Sequence, residues 1–366
     1  MRATILAALL LALSGCATGP SVEGPRLTPD EARALIAKLL PAQAADRAGW
    51  AADIYVAFTA MEIAPSPVNV CSVIAVTEQE SSFQVEPLVP GLGVIAWREI
   101  YGRAERFGVP RKLVRAALGV PSPDGRSYAE RIDAARNERE LSEIFEDLIG
   151  IVPGGQALFA GSNPVRTGGP MQVSIAFAQD YADDHPYPYP VERSIRREVF
   201  TRRGGMYFGI AHLLDYPADY ERPLFRFADF NAGHYASRNA GFQNALAIAT
   251  GVPLALDGDL IRARSSAADP PGATETAARV LGKRLDLDAD EIRDDLEKGG
   301  DASFGKSRLY ARVFDLADER QGRAVPRAVV PKIKLQSPKI SRDLTTEWFA
   351  NRVETRYQRC LARSEP

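Results

Sequence analysis

Pro67-Val68-Asn69-Val70-Cys71-Ser72-Val73-Ile74-Ala75-Val76-Thr77-Glu78-Gln79-Glu80-Ser81 is the stretch from which the rest of the chain is read. Val68, Val70, Cys71, Val73, Ile74, Ala75 and Val76 leave it almost no polar face. A segment that is apolar all round belongs inside a globule. A glutamate at its end sits where ionisation is disfavoured. If the run is a helix, the C-terminal carbonyls add a negative potential there. Desolvation and that dipole both raise a carboxylate pKa. A carboxylic acid kept protonated near neutral pH is what cleavage of a glycosidic bond needs as its general acid. Glu80 is therefore the first catalytic candidate. Glu78 stands open beside it, about 200° away around a helix. For either, the plainer reading is a helix-end carboxylate held in a salt bridge.

Outward from this run, periodicity is mostly helical. Thr28-Pro29-Asp30-Glu31 combines a threonine cap, a proline in the first turn and a glutamate three residues on, a helix start. A second helix is expected around Trp50, Ile54, Phe58 and Met61, stopping before Pro65. Further helices are expected at 97–107, 111–118, 128–135 and 141–149, and a last amphipathic one runs through Trp348, Val353, Tyr357 and Leu361. Strand-like alternation is scarce, Arg327–Leu335 being the best short case. His185–Pro190 reads as an irregular loop and residues 265–273 as a linker. The expected class is mainly α.

The N-terminus points to export. Arg2 precedes an apolar core from Ala3 to Leu13, about half the roughly 20 residues of a membrane span, so it reads as a signal sequence. Leu13-Ser14-Gly15-Cys16 resembles the bacterial lipobox, which implies lipidation of Cys16. Ala17 after the cysteine implies sorting to the outer membrane, the chain facing the periplasm. Two or three acyl chains would anchor it stably, where one alone is marginal. In an oxidising compartment Cys71 and Cys360 are free to pair. A disulfide between them stands beside the plainer reading of Cys71 as a small buried apolar residue.

The 366 residues are 45% apolar and 25% charged, an ordinary globular composition. Removing residues 1–15 takes out one cation, Arg2, and leaves a net charge of −3. Nothing in that balance suits a nucleic-acid partner, which wants a basic surface. Three histidines (His185, His212, His234) without tight spacing, and two thiols without nearby histidines, make a poor metal site. No cofactor is expected.

Three further stretches follow Glu80 in order. They are Thr167-Gly168-Gly169-Pro170-Met171-Gln172-Val173, the glycine-centred helix around Gly205-Met206-Tyr207-Phe208-Gly209-Ile210-Ala211-His212, and Ala228-Asp229-Phe230-Asn231-Ala232-Gly233. Singly, Met171 and Phe230 read as core residues and Asn231-Ala232-Gly233 as a turn. As an ordered set following Glu80-Ser81, they resemble the family 1 lytic transglycosylases, which share the lysozyme-like fold of goose-type lysozymes. The whole chain also resembles an uncharacterised family of proteobacterial lipoproteins.

The resemblance implies cleavage between N-acetylmuramic acid and N-acetylglucosamine in the glycan strands of peptidoglycan. Glu80 protonates the glycosidic oxygen, the substrate's acetamido group stabilises the positive charge, and Glu80 then takes a proton from the C6 hydroxyl to close a 1,6-anhydro ring. One carboxyl suffices, a recognised exception to the usual pair. By the same mapping Ser81 orients Glu80 or the substrate, Met171 and Gln172 wall the cleft, Asn231 bonds the acetamido group or the glutamate, and Tyr207 and Phe230 also bind substrate. A lysozyme-like hydrolase and a non-catalytic glycan-binding envelope lipoprotein are the other readings.

The implied division is a signal peptide (1–15), a tether and helix (16–45), the lysozyme-like domain (46–250) and a helical extension (251–366). The 89 positions from Glu80 to Gly169 exceed the usual loop, so a helical insertion is expected near residues 95–160, lining or lidding the cleft. Pro170 replaces the usual leucine, tolerable at a helix start. Phe230 replaces a tyrosine, removing a phenolic hydroxyl.

Overall fold

The computed structural model describes residues 27–151, 153–262, 269–335 and 343–365. The signal segment, Cys16 and residues 265–268 of the expected linker lie outside the described residues. The fold is mainly α. Its first helices are α1 (Pro29–Leu39), α2 (Arg47–Ala60) and α3 (Pro67–Glu80). An excursion follows: α4 (Leu92–Glu105), α5 (Arg111–Ala117), α6 (Tyr128–Ala134), α7 (Glu138–Gly150) and α8 (Gly155–Phe159). Then come β1 (Thr167–Gly168), β2 (Val173–Ser174), α9 (Ile175–Asp184), α10 (Ile195–Val199), α11 (Arg202–Leu214), α12 (Pro223–Ala232) and α13 (Ala236–Thr250). The rest comprises α14 (Ala273–Val280), α15 (Gly282–Leu285), α16 (Ala289–Glu297), α17 (Arg308–Gln321) and α18 (Thr346–Leu361).

The local chemistry at the starts of α1 and α3 explains where they begin. Thr28 and Glu31 form a reciprocal capping box at α1, with Pro29 in the first turn. At α3, Ser66 accepts from the Asn69 N–H at 3.2 Å, and Pro67 follows at the first helical position. From Val70 to Thr77 every α3 residue is buried. This apolar rod is the centre of the main core, which also takes Ile36 and Leu39 of α1, Trp50 and Ile54 of α2, Phe208 of α11 and Phe227 of α12.

α18 departs from the expectation of a separate C-terminal extension. Phe349, Val353, Tyr357 and Cys360 belong to the same core as α3. Cys71 and Cys360 are joined by a disulfide across 289 positions, Cα atoms 5.4 Å apart. Cross-linking so long a loop restricts the unfolded chain, a contribution of about 2–5 kcal/mol. Residues 273–325, in contrast, do form a second core, with Phe242 and Leu246 of α13 packed on Phe304, Leu309 and Phe314.

The excursion has its own small core of Leu92, Trp97, Tyr128, Ile132 and Ile144. Arg327–Leu335, read as a strand, lies outside any sheet. Val329 N–H instead donates to the Ser237 carbonyl at 2.9 Å and Lys332 N–H to Leu256 at 2.7 Å. The two-residue strands β1 and β2 form an antiparallel hairpin, pairing Thr167 with Ser174 and Gly168 with Val173. Among the described residues no helix is long and apolar enough to cross a membrane.

Candidate functional site

Glu80 is the last residue of α3 and is half-buried. The chain turns tightly beyond it. Ser81 N–H donates to the Thr77 carbonyl at 3.0 Å, Ser82 N–H to Glu78 at 3.2 Å and Gln84 N–H to Ser81 at 3.1 Å. Ser82 and Phe83 adopt φ of 51° and 63°, left-handed conformations that side chains other than glycine enter rarely. Each costs about 1–3 kcal/mol and persists only where the surroundings over-determine it. Phe83 supplies that constraint: it is buried, and its ring meets Trp50 edge-on at 5.3 Å. Glu78 is occupied elsewhere, 3.4 Å from Arg359 and 3.8 Å from Arg356 of α18. Glu78 thus holds a helix-end salt bridge to α18.

Several expected site residues serve the fold instead. Ser81 was assigned to orient Glu80; its hydroxyl donates back to the Thr77 carbonyl at 3.1 Å, and the residue is buried. Met171, assigned to the cleft wall, is fully buried. A Cβ added to Gly209 would lie 2.6 Å from the Met171 Cβ, and one on Gly205 would lie 2.4 Å from Pro170 Cδ. The Gly-Pro-Met-Gln stretch and the glycine-centred helix are therefore one packing device, in which bare backbone on α11 admits the β1–β2 loop. Pro170 sits in that loop, not at a helix start.

Gln172 is half-buried at φ 50°, and its side-chain amide closes the loop by donating to the Gly169 carbonyl at 3.1 Å. Tyr207, assigned to substrate, is 2% exposed; its hydroxyl donates to the Pro186 carbonyl at 3.1 Å. Its ring packs among Tyr181, Tyr187 and Phe208. Asn231 is exposed, and its Oδ1 accepts from Thr346 Oγ1 at 3.1 Å, tying the end of α12 to the start of α18. Phe230 is nearly buried, its ring 5.1 Å from that of His212.

Asp229, one residue earlier, had no assigned role. It is fully buried and accepts from Tyr216 Oη (3.2 Å), Tyr220 Oη (2.6 Å), Tyr235 N–H (3.0 Å) and Ser237 N–H (2.7 Å). Burial raises its pKa, and the hydrogen bonds from Tyr220 and Ser237 oppose the rise. The two N–H groups open α13, whose own cap residue, Tyr235, offers no side-chain bond. Asp229 satisfies them from the neighbouring helix.

Two of the histidines meet, and a chain of rings through Phe177 and Tyr181 leads from them to the third, His185. His212 and His234 stack at 4.5 Å, Tyr216 covers His234 at 4.1 Å, and Phe177 lies 4.7 Å from His212. Tyr181 stacks on His185 at 4.0 Å. Helical spacing carried the signal: Phe177, Tyr181 and His185, like His212 and Tyr216, recur every four residues. Burial pushes His212 down to about 4, helped by His234, and His234 is lowered by burial too. His212 Nδ1 is buried without a hydrogen-bond partner. Among the described residues no group of three or more His, Cys, Asp or Glu side chains is placed to hold a metal ion.

The excursion returns to the chain just past Glu80. The Glu86 carboxylate lies 2.9 Å from Arg139 and accepts from Asn137 Nδ2 at 3.3 Å, both at the start of α7. A charged cleft of about 610 Å³, lined by Asp53, Glu143, Glu146, Arg197 and Arg202, lies where α7 meets α10 and α11. An apolar one of about 770 Å³ lies within the excursion. Neither is lined by Glu80.

No solved structure matches the chain. It is 51% identical over 355 residues to "Uncharacterized protein YaiW" of Escherichia coli (strain K12), covering 96% of each chain. Residues 43–363, which hold α2 to α18, match the family described as "Protein of unknown function (DUF1615)", and the chain belongs to that family.

Proposed function

We propose that this chain is a membrane-anchored murein lytic transglycosylase of the cell envelope, with Glu80 as its single acid–base. The observation that carries the reading is the end of α3. A half-buried carboxyl there closes a helix that is buried from Val70 to Thr77, one residue before two consecutive left-handed residues, Ser82 and Phe83. Backbone strain of this kind clusters at active sites. The Cys71–Cys360 disulfide accords with export to an oxidising compartment and so with a lipid anchor at Cys16.

A second reading, a glycan-binding lipoprotein that does not cut, is favoured by a different observation. Ser81, Met171 and Tyr207 are committed to packing, and Phe230 offers no hydroxyl. One experiment separates the two: incubation of the protein with purified sacculi and mass analysis of the released muropeptides. Products with 1,6-anhydro ends that vanish in Glu80→Gln support the enzyme. Products with reducing ends indicate a hydrolase. Sacculus binding with no release supports the binder, and neither release nor binding removes both.

A further inference from the structure

The excursion carries far more exposed apolar surface than its share of the chain. Among the described residues, nine of the fourteen exposed large apolar side chains fall between Leu88 and Phe159, including Phe107 at 85% and Leu113 at 61% exposure. Three of them meet at concave surface: Val109 and Leu113 line an apolar cleft and Phe107 lines the pocket beside it. The cleft, of about 770 Å³, lies between α4, α5, α6 and α7. Ile95, Ile100, Leu113, Val114, Phe145 and Leu148 are among its walls. That volume falls within the range of small-molecule sites.

The lining says what the occupant is. A peptide laid in the cleft would bring backbone N–H and C=O groups that need partners. The walls are dominated by Leu, Ile, Val and Ala side chains, with Glu99, Glu138, Arg103 and Arg166 as their charged members. A hydrocarbon chain makes no such demand. The cleft also has a polarity. A second pocket of about 460 Å³ adjoins it, sharing Arg103 and Arg166 and adding Arg106 and Phe107. Its charged side chains are all cations. Arg106 Nε donates to the Gly102 carbonyl at 3.4 Å and Arg166 Nη1 to Gly161 at 2.8 Å. Among the described residues none of the three guanidiniums is held in an ion pair.

We propose that the excursion binds a long acyl chain bearing an anionic headgroup, with the hydrocarbon in the cleft of α4–α7 and the head on Arg103, Arg106 and Arg166. The reading is independent of Glu80: an amphiphile site on the excursion stands whether or not the protein cuts glycan. Carboxylate and phosphate heads share the chemistry that three unpaired guanidiniums recognise.

The test uses the full chain carrying Cys16→Ser, so that its own acyl groups do not compete. Trp97 of α4 lies in the excursion's core beside Ala96, which lines the cleft. Titration with 9,10-dibromostearate is expected to quench tryptophan fluorescence saturably. Trp97→Phe is expected to abolish the effect and Trp50→Phe to preserve it. Reversing Arg103 and Arg166 together to Glu, both exposed and outside the core, is expected to weaken the anionic probe at least tenfold. The same variant should leave the uncharged dibromostearoyl monoglyceride within twofold. Ala117→Trp, which fills the cleft, should weaken both probes. Competition by palmitate against 1-palmitoyl-lysophosphatidylglycerol then tells a fatty-acid carboxylate from a phospholipid headgroup. The proposal is overturned by unsaturable quenching, by quenching that survives Trp97→Phe, or by charge reversal without effect on the anionic probe. It is equally overturned if the protein floats with phosphatidylglycerol vesicles through Phe107 but binds no monomeric amphiphile, which makes the surface a membrane contact.

Discussion

The carboxylate of Glu78 lies 3.4 Å from the guanidinium of Arg359, so the end of α3 is tied to α18 across 281 positions. Glu80, about 200° around the same helix, closes it beside the strained turn. The two glutamates should therefore respond differently to the same change. Under the proposed reaction one group serves as acid and then as base, so Glu80→Gln is expected to lower glycan cleavage by about 10²–10⁴-fold, with the unfolding midpoint little moved. Glu78→Gln is expected to keep most activity and to cost about 1 kcal/mol of stability, as a partly screened pair does. Turnover on sacculi alongside urea denaturation checks both. The opposite pattern would make Glu78 the acid.

Gly209 is expected to tolerate no side chain while Met171 stands over it. A Cβ there would lie 2.6 Å from both the Cβ and the Sδ of Met171. Gly209→Ala should cost about 1–3 kcal/mol through overpacking, although alanine is the better helix former. Met171→Ala opens a cavity and should cost about 2–5 kcal/mol alone. In the double variant the new methyl enters the space the methionine vacates, so the costs should fall short of additive. A double-mutant cycle by denaturant unfolding reads the coupling; strict additivity would show that the two do not compete for space.

His212 gives the fold a pH dependence of definite sign. The unfolded chain takes up this proton near pH 6.5, whereas the folded chain resists it down to about 4. Between those values the unfolded state binds more protons, so stability rises with pH. The contribution is fully present above about pH 6.5 and is lost as pH falls toward 4. Discounted for the partial exposure of the ring, it amounts to about 2 kcal/mol. His234, lowered by the same burial, acts in the same direction. Urea midpoints at pH 7.5 and 4.5 should differ less in His212→Phe than in the parent. An equal difference would show that His212 does not supply the slope.

Asp229 is expected to be among the costliest single positions in the core. Asp229→Ala leaves two tyrosine hydroxyls and the Tyr235 and Ser237 N–H groups without their acceptor. Buried donors left unpaired cost about 1–3 kcal/mol each, so a loss of more than 3 kcal/mol is expected, measured by denaturant unfolding. Hydrogen exchange of the first turn of α13 should accelerate with it. Unchanged protection there would mean that the carboxylate is not what caps the helix.

Much of the helical frame was legible because capping chemistry is local. Thr28-Pro29-Asp30-Glu31 announced α1, and the apolar run announced α3. The expected helices at 111–118, 128–135 and 141–149 correspond to α5, α6 and α7. The hairpin at Thr167–Ser174 escaped notice because two residues per strand give no alternation to read. Arg327–Leu335 misled for the opposite reason, since alternation there reflects one more buried side, and its pairing is a single bridge, Lys334 with Thr345. At the candidate site, the place of Glu80 at the end of a buried helix could be read. The burial of Met171 and Tyr207 could not, because it depends on Gly205 and Gly209 letting a distant loop descend on α11. That is a long-range fit, and spacing along one chain does not encode it. The stacking of His212 on His234 also needed the turn before α13 to fold back on α11.

The bond between Cys71 and Cys360 makes the intervening polypeptide a closed ring, with α1 and α2 outside it. A protease that severs this ring once, at the exposed tip of the excursion or anywhere else inside it, releases nothing. Both products stay fastened to each other beneath α3 and α18. Such a nicked molecule runs as one species in a non-reducing gel and parts into two only after reduction. Apparent integrity of this protein is thus a property of its covalent closure, separate from the continuity of its backbone.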